Sequence, residues 1–165
     1  MSPPKQKPGR SKQDYVTPRV FWETVKGGLG IKRFAFDLAA SADNTVARYF
    51  FHEGDDALSQ DWGRFKDKGW CWLNPPYAHI EPWVRKCWEE TQKGCKIAVL
   101  LPAAVGSNWF RDWVHGKATL VCFLNGRLAF IPDKPHELYP KDNILALFDG
   151  LVETTRYAVW DWREP

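Results

Sequence analysis

The residues best suited to chemistry in this chain are four in a row, Asn74-Pro75-Pro76-Tyr77. Two prolines after an apolar run cannot continue a β-ladder, so they hold the backbone in an extended turn whose carbonyl groups can accept hydrogen bonds. The Asn74 amide oxygen and the Pro75 carbonyl can accept both hydrogens of an exocyclic amine, which draws the nitrogen toward sp³ geometry and frees its lone pair. The Tyr77 ring can stack on a heterocycle. This tetrapeptide therefore suits a planar substrate that carries an NH2 group.

The alternative interpretation is that the tetrapeptide is only a rigid connection. An isolated Asn-Pro-Pro sequence is usually a turn between two elements, with no chemical role. Here the apolar run Trp70–Leu73 precedes the motif, and an amphipathic segment follows it. This context favours a functional role over a turn alone.

The elements around the motif are predicted from periodicity. Apolar residues in Ile80–Gln92 recur at i, i+3, i+4, i+7, i+8 and i+11, which indicates an amphipathic helix. Lys96–Leu101 is a continuous aliphatic run, typical of a central strand covered on both faces. Phe34–Leu38 predicts another buried strand, followed by a turn of small residues.

The first helix is predicted to start with Thr17 as its N-cap and Pro18 as its first residue. Gly27 and Gly28 are predicted to end it. The other predicted elements are a helix start at 42–46, a short strand at 48–51, a short helix capped by Ser107, strands at 119–124, 143–148 and 156–160, and a hairpin arm at 128–131 after Asn125-Gly126.

Strands that alternate with amphipathic helices predict an α/β fold with a mainly parallel sheet, and the strand-rich last third predicts an antiparallel edge. In such sheets, ligands bind beyond the carboxyl ends of the strands. Three turns follow predicted strands, at Asp37–Ser41, Asn74–Tyr77 and Pro102–Ser107. We expect the site where these turns converge.

Composition narrows the class of protein. The chain has 165 residues, 44% hydrophobic and 26% charged, which excludes collagen, coiled coil and wholesale disorder. Apolar runs such as Ile97–Leu101 are far shorter than the ~20 residues that cross a membrane, and the polar N-terminus is unlike a secretory signal. We expect a soluble, cytoplasmic protein with one domain, residues 14–165, behind a disordered arm, residues 1–13.

The arm holds Lys5, Lys7, Arg10 and Lys12 and no acid. Without these four cations, the remaining 19 basic and 20 acidic side chains give the body a net charge of −1. A basic arm suits the phosphates of nucleic acid, and the alternative is a solubilising terminus. Arg127, in a turn between strands, is a second candidate for a phosphate or DNA contact, or else an ordinary surface arginine.

No metal is expected. None of the four cysteines forms a CxxC pair, and no cluster of histidine, cysteine and carboxylate has ligand spacing.

Asn-Pro-Pro-Tyr resembles the catalytic motif of amino methyltransferases that use S-adenosylmethionine (AdoMet) and act on adenine N6, cytosine N4 or glutamine N5. Further motifs, in order, resemble one branch, the phage-type (Dam-like) DNA N6-adenine methyltransferases. These motifs are Thr17-Pro18, Phe36–Ser41, Asp43-Asn44, Asp56-Ala57-Leu58, Asp61-Trp62, Trp72–Tyr77, Trp83, Leu100–Ala103, Trp109-Phe110 and Gly126–Phe130.

This resemblance implies a Rossmann-like methyltransferase fold of reduced size, AdoMet as the methyl donor, and a flipped adenine held by Asn74–Tyr77. It also implies that Thr17 and Pro18 lie against the methionine part of AdoMet. The place of the first AdoMet loop, glycine-rich in the wider superfamily, is taken by Asp37, Ala39, Ala40 and Ser41. Asp56 is a candidate to receive the ribose hydroxyls or the adenine amine of AdoMet. No base of high pKa is needed, because the amine proton becomes acidic once the methyl group has transferred.

The expected partner is DNA, with a homodimer as a possibility and no membrane. Phage enzymes of this kind usually modify their own DNA against host restriction, within the host cytoplasm. One rival is a glutamine or RNA methyltransferase, although that class normally has a glycine-rich cofactor loop. The other rival is a non-catalytic nucleic-acid-binding module, which gives no reason for Asn-Pro-Pro-Tyr at the end of a strand.

Overall fold

A computed structural model describes residues 16–131, 133–150 and 152–164. In this part of the chain, six strands form one sheet and two α-helices pack on it. The strands are β1 (Phe36–Asp37), β2 (Trp70–Leu73), β3 (Lys96–Pro102), β4 (Leu120–Asn125), β5 (Asn143–Phe148) and β6 (Arg156–Asp161), and the helices are α1 (Arg19–Leu29) and α2 (Glu81–Thr91). No helix of these residues is long and apolar enough to span a membrane.

The strand order across the sheet is β1-β2-β3-β5-β4-β6. Neighbours pair in parallel except around β5, which is antiparallel to both β3 and β4. The prediction of a mainly parallel sheet is confirmed, but the predicted antiparallel edge is wrong, because the antiparallel strand lies inside the sheet. Its apolar residues explain this position, since Ile144, Leu145 and Ala146 are all buried.

Alternate residues of β3 face two different hydrophobic layers. Ile97 and Val99 pack in the layer that contains Val84 of α2. Ala98 and Leu100 pack in the layer that contains Phe21 of α1. The central strand is therefore covered on both faces, as its continuous aliphatic run predicts.

The first helix begins and ends later than predicted. Pro18 occupies the N-cap position, and the helix continues through Gly27 and Gly28. It ends at Gly30, whose φ of +66° lets its amide and the next one bond back to Gly27 and Lys26 carbonyls. Two glycines weaken a helix but do not stop it, whereas the third supplies the left-handed turn that closes it.

Three other predicted elements are wrong. The predicted hairpin arm, 128–131, forms no strand, because β5 and β6 already occupy both sides of β4. Residues 42–46 form turns in place of a helix. The predicted strand 48–51 is reduced to one bridge between Asp37 and Phe50.

A buried carboxylate attaches the loop before β2 to α2. Glu90 is 3% exposed, and its Oε2 accepts a hydrogen bond from the Gly63 amide at 2.9 Å. Its Oε1 pairs with Lys86 at 3.0 Å and with Lys93 at 3.1 Å. Since Lys86 is itself mostly buried, removing Glu90 leaves its charge without a carboxylate, while the Gly63 amide keeps only its second bond, to Asp61 Oδ1 at 3.0 Å.

We predict that Glu90→Ala lowers the free energy of unfolding by about 3 kcal/mol, the low end for removal of one partner of a buried pair, since Lys93 is half exposed. Urea denaturation measures this. The control is Glu89→Ala on the same helix, whose exposed pair with Arg85 is worth at most about 0.5 kcal/mol. Equal losses for the two variants would contradict the anchoring role of Glu90.

Candidate functional site

The carboxyl ends of the first three strands lie at one edge of the sheet. Because β1, β2 and β3 are adjacent and parallel, Asp37, Asn74 and Pro102 come together at this edge. The antiparallel strand β5 starts at the same edge, where Asn143 pairs with Pro102. The three turns therefore start at the same edge of the sheet, as predicted, and a fourth segment begins there, while the placement of the site among them stays a prediction.

The Asn74 amide is oriented by Thr17. Its Nδ2 donates a hydrogen bond to Thr17 Oγ1 at 3.2 Å, and Thr17 is 5% exposed. This bond occupies the nitrogen end of the amide, while no described residue donates to Asn74 Oδ1. Asn74 Oδ1, which the sequence analysis predicted to accept a hydrogen from an exocyclic amine, is thus held in place and remains available. Pro75 next to it is buried and Pro76 is half-buried.

The Tyr77 side chain is held by its hydroxyl as well as by its ring. The hydroxyl donates to the Leu100 carbonyl at 3.3 Å and accepts from Asn143 Nδ2 at 3.2 Å. The ring meets Phe130 and Tyr139 edge-on, with centroids 6.3 and 5.8 Å apart. These contacts fix the plane of the ring, and the sequence analysis, which considered only stacking, did not predict the bonds of the hydroxyl.

Asn143 is the functional candidate that the sequence analysis missed. It is 2% exposed, and its Nδ2 also donates to the Leu101 carbonyl at 3.1 Å. Its Oδ1 is buried and has no hydrogen-bond partner among the described residues. An unsatisfied buried acceptor costs about 1–3 kcal/mol, so it calls for an explanation. The only sequence signal is one polar residue at the head of the apolar run that forms β5.

Asp37, the last residue of β1, holds the loop that follows. Its Oδ1 accepts from the Ala39 amide at 3.3 Å, and its Oδ2 accepts from the Val46 amide at 3.0 Å. The side chain is 2% exposed, and burial raises its pKa to about 7, against the lowering effect of these amides and of the Thr45 side chain. The buried carboxyl group therefore bridges the two ends of the loop, at Ala39 and Val46.

The loop itself is closed by short hydrogen bonds. The Ser41 amide donates to Asn44 Oδ1 at 2.7 Å, and the Ser41 carbonyl accepts from the Thr45 amide at 3.1 Å. Ala40 is buried, and its amide donates to the Phe51 carbonyl. The loop that lacks glycine therefore keeps a defined shape through side-chain and backbone bonds.

A cavity of about 570 Å³ lies between this loop and the start of α1. Thr17 and Pro18 line one side, and Asn44 and Thr45 line another. Arg127 also lines it, with its Nε 3.1 Å from Asp142 Oδ1. The structure therefore brings Arg127 to the cavity beside the Thr17-Pro18 segment, and Asp142 partly balances its charge.

Most other predicted site residues do not line this cavity, namely Asp37, Ala39, Ala40, Ser41, Asp56, Asn74, Pro75, Pro76 and Tyr77. Asp56 is exposed, has a φ of +47° and joins two 3₁₀ turns, and no described contact links it to Thr17 or Asn74. Its role toward AdoMet stays a prediction. The cations of the arm, Lys5, Lys7, Arg10 and Lys12, lie outside the described residues. Within residues 16–164, without 132 and 151, no three histidine, cysteine or carboxylate side chains are grouped to hold a metal.

The raised pKa of Asp37 predicts how stability depends on pH. Below its ordinary value of 3.8 the carboxyl is protonated in both states, and its contribution is fully present. Between 3.8 and about 7 only the folded state keeps the proton, so stability falls as pH rises through this window, by up to about 4 kcal/mol. Asp37→Asn, which cannot titrate, should show none of this fall.

The measurement is urea denaturation of wild type and Asp37→Asn at several pH values across the window. Asp149→Asn, which replaces an exposed carboxylate, is the control and should follow the wild-type profile. A constant difference between wild type and Asp37→Asn at every pH would contradict the buried, protonated carboxyl.

Comparison with known proteins supplies the family. A model of the family described as "DNA N-6-adenine-methyltransferase (Dam)" matches residues 5–152. A DNA N-6-adenine-methyltransferase of Escherichia phage T1 is 29% identical over 164 residues, which cover 87% of this chain and 67% of that protein. A DNA N-6-adenine-methyltransferase of Haemophilus phage HP1 (strain HP1c1) is 30% identical over 140 residues, which cover 82% of this chain and 78% of that protein. The resemblance carried by the motifs is thus confirmed, and the chain belongs to the DNA N-6-adenine-methyltransferase (Dam) family.

Proposed function

We propose that this chain transfers the methyl group of AdoMet to N6 of adenine in DNA. The observation that carries the proposal is the Asn74 amide, whose nitrogen is bonded to Thr17 and whose oxygen stays available at the carboxyl edge of the sheet. Family membership supports the reaction, and the phage origin of both relatives supports a role in modifying phage DNA against restriction.

The cavity beside the loop has the volume of a small-molecule site, as AdoMet would need. Pockets for small molecules span roughly 300–1,000 Å³, and this one measures about 570 Å³. Thr17 and Pro18 would hold the methionine part of AdoMet, and Asp37 would keep Ala39, Ala40 and Ser41 in the shape of the cofactor loop. When bound there, AdoMet supplies an electrophilic methyl group.

The chain's own residues then prepare the amine. Asn74 Oδ1 and the Pro75 carbonyl accept the two hydrogens of adenine N6, which localises the lone pair on that nitrogen. The carbon–nitrogen bond would form as the carbon–sulfur bond of AdoMet breaks, with S-adenosylhomocysteine as the leaving group. The methylated nitrogen then carries an extra, acidic proton, which leaves along one of these two hydrogen bonds. Preorganised acceptors of this kind cost no rearrangement during the reaction.

Tyr77 would receive the base itself. An adenine inside a duplex is out of reach, so the enzyme must rotate it out of the stack. The edge-on contacts of Tyr77 with Phe130 and Tyr139 fix the ring plane before the base arrives. A fixed ring loses little freedom when it stacks, and this supports its role as the platform.

The finer class of the fold is part of this proposal. Five strands that run in one direction, with helices on both faces and the site at their carboxyl ends, support a Rossmann-like methyltransferase fold. Contacts of the basic arm and of Arg127 with DNA phosphates also belong to the proposal.

The reaction is tested by incubating the purified chain with AdoMet and duplex DNA, digesting the DNA to nucleosides, and detecting N6-methyladenine by mass spectrometry. Asn74→Ala should lower turnover by at least about 100-fold, the loss expected when one preorganised hydrogen-bonding group is removed. AdoMet binding, followed by calorimetry, should largely survive, because the amide faces the substrate amine.

The matched control is Gln92→Ala, since Gln92 is an exposed amide side chain at the end of α2 that is bonded to the Trp88 carbonyl and does not line the cavity. It should methylate DNA at the wild-type rate. Near-normal turnover of Asn74→Ala would remove the motif from the mechanism.

Two substitutions of Tyr77 separate the contribution of ring stacking to activity from that of the hydroxyl hydrogen bonds. Stacking on an aromatic ring is worth about 1–3 kcal/mol, so Tyr77→Ala should lower kcat/KM by roughly 5- to 150-fold. Tyr77→Phe keeps the ring and should be milder. Because Asn143 reaches the site through that hydroxyl, Asn143→Leu should cause little further loss of activity in a Tyr77→Phe background.

Thr91→Val is the control for the double-mutant cycle of Tyr77→Phe and Asn143→Leu. Thr91 is 2% exposed and accepts a hydrogen bond from the Gly150 amide, so this variant also removes a buried polar partner, but one without a link to Tyr77. Its effect should add to that of Tyr77→Phe. Equal losses for Tyr77→Phe and Tyr77→Ala would contradict stacking, and additive losses with Asn143→Leu would contradict the coupling.

A further inference from the structure

A second hollow, of about 450 Å³, lies beside β1 at the edge of the sheet. Three cations, Arg33, Arg48 and Lys68, line it together with aromatic rings. The lining contains no acidic residue, and Asp67, next to Lys68 in sequence, is not part of it. We call this hollow the cationic groove, and its residues are Arg33, Phe36, Arg48, Tyr49, Phe65 and Lys68.

The three cations have no carboxylate partner. All three are exposed, and no ion pair links any of them to another described residue. Elsewhere some exposed cations are neutralised, as Arg85 is by Glu89 and Arg111 is by Asp112, while others, such as Lys32 and Arg156, also have no ion pair with a described residue, so what distinguishes these three is that they share one hollow. Unpaired positive charge concentrated in one hollow of a body that is otherwise near neutral suits a polyanion.

The groove also offers aromatic surface. Phe36 and Phe65 stack with their centroids 4.2 Å apart. Tyr49 is 57% exposed, and the Arg48 guanidinium lies 5.4 Å from its ring centroid. Phe36 and Phe65 are half-buried against the core, so Tyr49 is the exposed ring of the groove. An exposed ring beside cations suits a nucleic acid strand, where rings meet bases and cations meet phosphates.

One chain segment connects the groove to the proposed cofactor cavity. Residues 38–51 leave β1 at Asp37 and return along it, where the Tyr49 carbonyl accepts the Asp37 amide. Thr45 of this segment lines the 570 Å³ cavity, and Arg48 lines the groove. Three residues span at most about 11 Å, so the groove is adjacent to the proposed cofactor cavity. Arg33 and Lys68 precede β1 and β2, so the groove lies toward the amino ends of these strands.

We propose that the cationic groove binds the sugar-phosphate backbone of the DNA substrate outside the target base. Arg33, Arg48 and Lys68 contact phosphates, so the groove positions the DNA without reading its sequence. This inference rests on the proposed function, and it places the DNA-facing charge in the folded body as well as in the arm.

The test is a salt titration of binding to a short fluorescent duplex by wild type and by the triple variant Arg33→Gln, Arg48→Gln and Lys68→Gln. Removing one cation from its phosphate should lower the slope of log affinity against log salt by about 0.9. Removing three cations should therefore lower it by between about 1 and 3. Preference among duplex sequences and AdoMet binding should stay unchanged.

The control is a second triple variant, Arg85→Gln, Arg111→Gln and Lys134→Gln. It removes the same charge from cations that are paired with Glu89, Asp112 and Glu137. Its salt slope should equal that of wild type, because net charge alone does not place a cation on a phosphate.

The outcomes separate this inference from the function on which it rests. An unchanged slope in the groove variant, or an equal fall in both triple variants, overturns the groove while wild type still forms N6-methyladenine. If wild type neither binds the duplex nor forms N6-methyladenine, both the proposed function and the groove are overturned.

Discussion

Parallel pairing of β1, β2 and β3 is the constraint on which the rest of this structure depends. Parallel neighbours present their carboxyl ends at one edge, so Asp37, Asn74 and Pro102 meet although long stretches of sequence separate them. Each strand then leads into a loop at that edge. The positions of Asn74 and Tyr77 beside this edge follow from this alignment.

Burying polar groups at that edge lowers the stability of the fold. Asp37 is buried as a carboxyl whose pKa is raised to about 7, and Asn143 keeps an acceptor without a partner among the described residues. Apolar residues at both positions would spare the cost of burying polar groups. These side chains instead hold a loop and an aromatic ring in place, which supports selection for a shaped site over selection for stability alone.

Two errors of the sequence analysis, the hairpin arm 128–131 and the antiparallel edge, share one cause. Leu128 and Phe130 have the apolar pattern of a strand, yet they fill the layer of the core that contains α1, because both sides of β4 are already paired. The run 143–148 was assigned correctly as a strand and wrongly as part of an edge. Periodicity describes how a segment buries its own side chains, and it does not say which neighbours it pairs with.

The sequence by itself determined the α/β class, the helix that follows the motif, the central strand and the Asn74–Tyr77 motif on which the proposed chemistry rests, because each is a local pattern of side chains. Only the tertiary structure decided that Thr17 orients Asn74, that Asn143 holds Tyr77, and that three unpaired cations share a groove. Those relations join residues far apart in the chain. Their distances are set by strand order and packing, and no local pattern carries that information.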